Sequence, residues 1–591
     1  MSRRVFSTQL RWQNALLLLP VFANFAYGAG NLELRPSVPS PQPVGTLVSW
    51  TANAGPGSSA AYYRFRYRSP GGEYRMIRDF GPGETIEWMP SDADGTTEVE
   101  ASRMDLESRE ITAVSEYFSW TSLATDGQPA ITASGHPLVW IFSTPPCAGG
   151  TFMAVEYGTS SRTVSSTPFH ACREGVSLTF QLAGLLPSTG YFARPILATA
   201  EQPLRYGPSV EFRTGELPDG LLSHTISRPR TRYTDQEIVL EAPIFPNRPT
   251  AVDLAGNVIW YYPGAISVLT RPGREGTFWG LIQSPGGTEM QRIREFDLTG
   301  MTRRETNAAR VNQQLAALGR RQINGFHHEV RELPDGKIMA LAGVEQILTD
   351  VQGPGPVDVL GDMIIIFDQD LQIVWTWDGF DYLDPSRPAI LNEICSQGSC
   401  PPLYLAPDGN DWTHANSVQL APDGNLVMSI RHLDWVIKID YQNGLGSGNI
   451  LWRFGKDGDF RLSTGNPADW FSHQHDSEFE LNNTTLTLFD NGNTRRQSDP
   501  TVTSRGQVFE IDEITRTARV VVNADLGVFS FALGAAQRLR NGNYHFDVGW
   551  TLPANTSFSM EVDPAGRLSY SLQASGPQYR TFRMRDLYTP D

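Results

Sequence analysis

"IIIFDQDLQIVWTW", residues 364–377, runs an apolar strand into an aspartate, turns through a few residues and leaves as a second apolar strand. The same phrase returns as "VDLAGNVIWYY" (252–262), "FDLTG" (296–300), "VIKIDYQNGLGSGNILWRFG" (436–455), "VFEIDEITRTARVVV" (508–522) and "MEVDPAGRLSYSL" (560–572). Its aspartates, Asp253, Asp297, Asp368, Asp440, Asp512 and Asp563, stand 44, 71, 72, 72 and 51 residues apart by subtraction. A hairpin that cannot bury its faces alone must stack on copies of itself, and an all-β repeat that closes on itself is a propeller. A second phrase recurs between the copies, "LPDGK" from 333, "APDGN" from 421 and "LRNGN" from 539, each a turn joining two strands. Residues 216–591 are therefore expected to form a six-bladed β-propeller. Seven blades is the rival count, if the long loops or the C-terminal sequence hide another.

The rest of the chain is also β-rich. Residues 30–121 and 122–215 each have the length and strand count of a β-sandwich. In the second, "LTFQLAGLLPSTGYFARPI" (178–196) resembles the fibronectin type III pattern, with Leu185, Pro187 and Tyr191 marking the late strands. The expected fold class is all-β: a propeller preceded by two β-sandwich, fibronectin type III-like domains.

Composition excludes several classes. With 40% apolar and 19% charged residues in a chain of 591, there is apolar surface for several cores. The balance of 48 basic against 64 acidic residues, net −16, argues against a nucleic-acid partner, since phosphate binding needs a basic surface. Arg3, Arg4 and Arg11 precede the apolar run "ALLLLPVFANFAYGAG", which reads as a signal peptide over 1–29 with cleavage near Gly28 or Ala29. Pro20 and Asn24 leave that run too short to span a membrane, and no span is expected in the mature chain. Export to the periplasm or outside the cell would let Cys147 pair with Cys172 and Cys395 with Cys400.

A propeller gathers one strand from each blade at its axis, so chemistry is sought there. Seven of the ten histidines follow residue 300: His327, His328, His414, His432, His473, His475 and His545. In "HANSVQLAPDG" His414 and Asn416 share a face with Val418, and in "HQHDSEFEL" His475 and Ser477 share one with Phe479. His414 and His475 thus hold equivalent positions, and in "HHEVRELPDG" the residue in phase with Val330 is His328 rather than His327. Alternation aims His473 inward as well. Three readings stand open on the residues alone: a nucleophilic imidazole with helpers, a His-ligated metal, and a non-catalytic binding module. Arg431 weighs against the metal, because a guanidinium beside a dication is repulsive without an anion between them. His136, His170 and His224 read as satisfied structural histidines, and Trp412, Trp435 and Trp470 as packing.

"DWTHANSV" (411–418), the following "SIR" with Arg431, "ILWRFG" (450–455) and "QHD" (474–476) followed by "LTLFDNGN" (486–493) resemble the arylsulfotransferase family that uses no activated nucleotide donor. The likeness covers about residues 220–591. It implies a six-bladed propeller enzyme, acting in the periplasm or outside the cell without cofactor or metal. Such an enzyme moves a sulfuryl group from a phenolic sulfate donor to a phenol acceptor through a sulfohistidine. On that resemblance His475 is the nucleophile, His414 the acid/base, and Arg431, Asn416 and His327 or His328 ligate sulfate, with His473 in support. No G-x-x-x-x-G-K-[ST] stretch is present for a nucleotide sulfate donor.

Overall fold

The computed structural model describes residues 32–590 except 56–57, 91–92, 161–162, 200–202, 230–235, 284–286 and 396–399. The expected signal segment lies outside the described residues. From Ile238 onward the strands assemble into six four-stranded antiparallel units. Their innermost strands are Val268–Pro272, Gly325–Glu332, Ala415–Leu420, His475–Phe479, Ala535–Arg538 and Gln578–Met584, and each touches the next, the last returning to the first. Five units are contiguous in sequence. The sixth takes its inner strand from Gln578–Met584 and its outer three from Ile238–Pro243, Thr250–Asp253 and Val258–Tyr261. The ring is thus closed by hydrogen bonds between early and late chain, such as those pairing Leu240 with Phe582.

The repeated phrases have a physical cause. Each repeat aspartate sits between the third and fourth strands of its unit and satisfies the turn that joins them. Asp253 Oδ1 accepts from the Ala255 and Asn257 amides at 2.9 Å, and Asp368 Oδ1 does the same for Asp370 and Gln372 at 2.9 Å. Asp297, Asp512 and Asp563 repeat this, while Asp440 reaches across a longer loop to the Ser447 amide at 3.0 Å. A side chain that caps the turn amides fixes a tight connection without help from elsewhere. The second phrase joins the first and second strands, with Gly336, Gly424 and Gly542 at φ 83°, 83° and 85°, where a Cβ would strain the turn. Between units the flat faces bury apolar layers, such as Ile364, Ile366, Val418, Met428 and Ile437 between the units whose inner strands are Gly325–Glu332 and Ala415–Leu420.

Two sandwich-like modules precede the ring. The first packs Trp50 and Trp88 of one sheet on Phe65, Val99, Phe118 and Trp120 of the other. Its sheet meets the ring edge to edge, where Arg78 pairs with Glu305, and Asn307 donates to the Phe80 carbonyl at 2.8 Å. The second module buries Phe142, Val155, Tyr157, Phe180 and Leu185, and Tyr191 Oη accepts from the Leu186 amide at 2.9 Å. That corner is what the Leu185, Pro187, Tyr191 spacing encodes. It docks through His136, whose Nε2 lies 2.7 Å from the Tyr261 carbonyl, and through Tyr157 and Tyr588, whose hydroxyls lie 3.2 Å apart. Cys147 is bonded to Cys172 and Cys395 to Cys400. No helix among the described residues is long and apolar enough to cross a membrane.

Closure by the strand Gln578–Met584 makes a direct test. A chain truncated after Ser575 lacks the inner strand of one unit and exposes the edge of Ile238–Pro243. It should show no cooperative thermal transition by calorimetry and should aggregate, whereas a truncation confined to residues 589–591 should melt as the full chain does.

Candidate active site

At the mouth of the channel the inner strands are irregular. Register slips by two residues between His327 and Val330, and by one between Ala415 and Ser417 and between His475 and Glu478. The backbone there enters the left-handed region, with φ of 55° at His328, 48° at His414 and 47° at Asp476. A bulge re-aims side chains, so strict alternation does not set the direction of the imidazoles.

His475 is buried and its protonation is fixed by its neighbours. Asn491 donates its amide hydrogens to the carbonyls of Ser530 at 2.9 Å and Leu533 at 3.1 Å. Asn491 Oδ1 must therefore face His475 Nδ1, 2.7 Å away, as an acceptor. The proton resides on Nδ1 and the lone pair on Nε2, which accepts from the Leu533 amide at 3.3 Å. Burial holds the pKa of His475 well below the ordinary imidazole value, and the charge of Arg431 adds to this. The ring is neutral, with its lone pair placed on Nε2.

His414 turns its Nδ1 to Asp411 Oδ2, 2.6 Å away, and among the described residues its Nε2 has no hydrogen-bond partner. His327 and His328 form a relay behind it: Asp362 Oδ1 lies 2.9 Å from His327 Nε2, and His327 Nδ1 lies 2.8 Å from His328 Nδ1. The His328 ring stands 4.9 Å from that of His414, and burial, followed by the charges of His414 and His327, pushes its pKa well down. His327, His328, His414, Asp411, Asp362 and Tyr579 line a cavity of about 190 Å³, together with the apolar Ile244, Val268, Leu360, Pro401 and Leu533. Leu533 is part of that wall, and its amide faces His475 behind it.

Arg431 lies beside this group. One Nη contacts His432 Nε2, the other donates to the Phe531 carbonyl at 3.2 Å, and its buried Nε has no hydrogen-bond partner. His432 is held by the Asp411 carbonyl, 2.7 Å from its Nδ1. Asn416 donates to the Gln474 carbonyl at 2.7 Å, so its amide braces the backbone on which His475 sits. His473 lies off the cavity, with Nε2 2.5 Å from Glu393 and Nδ1 3.0 Å from Asp434. His545 is buried in a seam between units and faces the Thr581 hydroxyl at 3.0 Å. The three tryptophans pack elsewhere: Trp412 donates to the Arg387 carbonyl, Trp435 stacks under Arg387 and Trp470 edges Phe454.

Reasoning from sequence did not single out Asp411, Asn491, Asp362, Glu393, Leu533, Tyr579 or Arg580. Asp411 and Asn491 stand inside the quoted stretches "DWTHANSV" and "LTLFDNGN", Asp411 three positions before His414 but Asn491 sixteen after His475, so only the first had a local signal. Beneath the site the inner strands are tied by charge. Arg580 donates to Glu329 at 2.9 Å and also to the Asn416 carbonyl, while Arg271 engages Glu329 at 2.9 Å and Asp476. Tyr579 donates to the His328 carbonyl at 2.9 Å.

The chain is thus an all-β ring protein whose axis gathers imidazoles and a guanidinium that has no carboxylate partner among the described residues. A sequence profile of the family described as Arylsulfotransferase (ASST) matches residues 225–571, and the chain belongs to that family. No curated protein sequence matches it. Among solved structures, catalytically inactive virginiamycin B lyase from Staphylococcus aureus with quinupristin is similar over 60% of this chain and 99% of its own, at 12% identity and TM-score 0.28. A two-domain fibronectin type III segment of chicken tenascin is similar over 31% of this chain and 97% of its own, at 15% identity and TM-score 0.14.

The charged girdle predicts an acid limit to stability. Burial opposes the charge of Glu329, but Arg271 and Arg580 outweigh it and hold its pKa at about 2, below the ordinary 4.5. A depressed carboxyl stabilises the fold above pH 4.5 and loses that contribution as pH falls toward 2. The loss expected from this group is on the order of 3 kcal/mol. Denaturant unfolding between pH 5 and pH 2 should show it, and Glu329→Gln, already destabilised at neutral pH by its unpaired arginines, should lack this group's part of the slope.

Proposed function

We propose that this arylsulfotransferase moves a sulfuryl group from a phenolic sulfate ester to a phenol in two steps through a sulfohistidine at His475, without a nucleotide donor. The observation that carries the reading is the neutral His475, with Nδ1–H held by Asn491 and the Nε2 lone pair directed at the amide of Leu533, a residue of the cavity wall. In the first step Nε2 attacks sulfur, an N–S bond forms and the S–O bond to the phenol breaks. Protonated His414 gives its Nε2 proton to the departing oxygen, and Asp411 supports its charge beforehand. In the second step neutral His414 takes the proton of the incoming phenol, whose oxygen attacks sulfur as the N–S bond breaks. His475 and His414 return to their starting states.

Charge on the three equatorial oxygens needs fixed donors, and Arg431 with the Leu533 amide supplies them in a buried setting. Ile244, Val268, Leu360, Pro401 and Leu533 offer the aryl ring an apolar wall. We further propose that residues 1–29 are a cleaved signal and that the enzyme works in the periplasm or outside the cell, which the two disulfides support. The sandwich modules are proposed to divide at residue 121, and the ring to begin near residue 216.

A second reading has one observation behind it: ligand atoms of Asp411, His414 and His432 lie within 4.8 Å of one another, as a metal would require. Arg431 on His432 Nε2 opposes it. Metal analysis of purified protein decides, and a stoichiometric metal needed for turnover would replace the covalent scheme.

Mixing enzyme with a chromogenic aryl sulfate and no acceptor should release a burst of phenol approaching one equivalent per site, with steady turnover and ping-pong kinetics once a phenol is added. His475→Ala should abolish the burst, and His414→Ala should slow both steps. Asn491→Ala, which frees the tautomer of His475, should lower the burst rate at least about tenfold, about 1.4 kcal/mol. A full burst in His475→Ala would move the nucleophile to another residue.

A further inference from the structure

His473 has no part in the transfer scheme, yet it is fully buried and strained, with φ of 53°. Its two ring nitrogens face two different carboxylates, Nε2 toward Glu393 Oε1 at 2.5 Å and Nδ1 toward Asp434 Oδ1 at 3.0 Å. The His473 amide also donates to Asp434 Oδ1, at 2.7 Å. The Nδ1 contact is at ion-pair distance without the alignment of a hydrogen bond. A neutral imidazole has one N–H and would leave a lone pair against one of these acids, whereas the imidazolium presents positive charge to both.

Arg431 stands next to the same acids. Glu393, Asp411 and Asp434 are near enough to favour its charge, but among the described residues no carboxylate comes within the 4.0 Å of an ion pair with it. Each of the three acids is turned elsewhere: Glu393 and Asp434 to His473, and Asp411 to His414 at 2.6 Å. Buried carboxylates beside an arginine normally pair with it, as Glu329, Asp490 and Glu561 do in this chain.

We infer that His473 is a positioning residue: as an imidazolium clamped between Glu393 and Asp434, it holds both acids off Arg431 and leaves that guanidinium free for the sulfuryl oxygens. The inference rests on the reading of Arg431 as the anion ligand. Burial opposes the charge on His473, but the bonds to Asp434 and Glu393 outweigh it and raise its pKa. The other charged or titratable groups that face it are Arg431, which opposes protonation, and His432, whose ring lies 5.8 Å away and whose own pKa burial pushes well down. His473 therefore keeps its charge to a higher pH than an ordinary imidazole, and its clamp loosens as pH rises through the raised value.

The test is a pair of substitutions read by the rate of the phenol burst. His473→Gln removes the cation and releases Glu393 to Arg431, so the burst should slow by about tenfold or more. Glu393→Gln alone should stay within about threefold of the wild type, and Glu393→Gln combined with His473→Gln should return to that level, because the captor is gone. Labelled-histidine NMR of the wild type should show both nitrogens of His473 protonated at pH 7, and this needs neither substrate nor variant. A neutral ring at pH 7, or a double variant that melts like His473→Gln and is equally slow, overturns the assignment. Failure of the wild type to release phenol would refute the transfer reading alone, since the charge of the ring is read without substrate.

Discussion

The pairing of Arg580 and Arg271 with Glu329 and Asp476 is the constraint on which the site depends. These four residues come from four inner strands, so the ion pairs cross between units where no backbone ladder can reach. Arg580 also holds the Asn416 carbonyl, Asn416 holds Gln474, and His475 follows directly. Desolvating four charges is expensive, and an apolar plug could close the channel as well. A plug of that kind would not fix the heights of neighbouring strands relative to one another. The girdle does, and a transfer site assembled from several strands needs that registration.

The electrostatics above the girdle have a common sense. Burial keeps His475, His328 and His432 neutral, and nearby arginines reinforce this. His414 and His473 instead face acidic partners, His414 toward Asp411 and His473 toward Glu393 and Asp434. A chain carrying a net charge of −16 thus gathers imidazoles and a guanidinium beside a small, half-apolar cavity.

The fold was legible because the repeat phrases are self-sufficient. Each Asp-capped turn satisfies its own amides, so Asp253 or Asp368 marks a hairpin whatever surrounds it. The site was legible where it follows the same repeats, as with His414 and His475. It was not legible where a group arrives from a loop with no period, as Glu393, Asp411 and Leu533 do. Nor could alternation orient His473 or choose between His327 and His328, because the extra residues in these inner strands break the period of two where the chemistry lies. Both of the latter reach the cavity, one through the other. Asn491 shows the remaining gap: its role follows from two carbonyls at Ser530 and Leu533 about 40 positions later in the chain, and no local pattern reports them.

The strand Gln578–Met584 comes after every other strand of the ring, and its partners begin at Ile238. A ribosome therefore releases five complete units before the closing one exists, and until then the ring is an open arc with two unpaired flanks. Those flanks invite pairing with other chains, a hazard for a polypeptide that dwells in a crowded cytosol. An architecture whose closing strand is made after all the others commits to its final shape only once the whole of the ring has been synthesised.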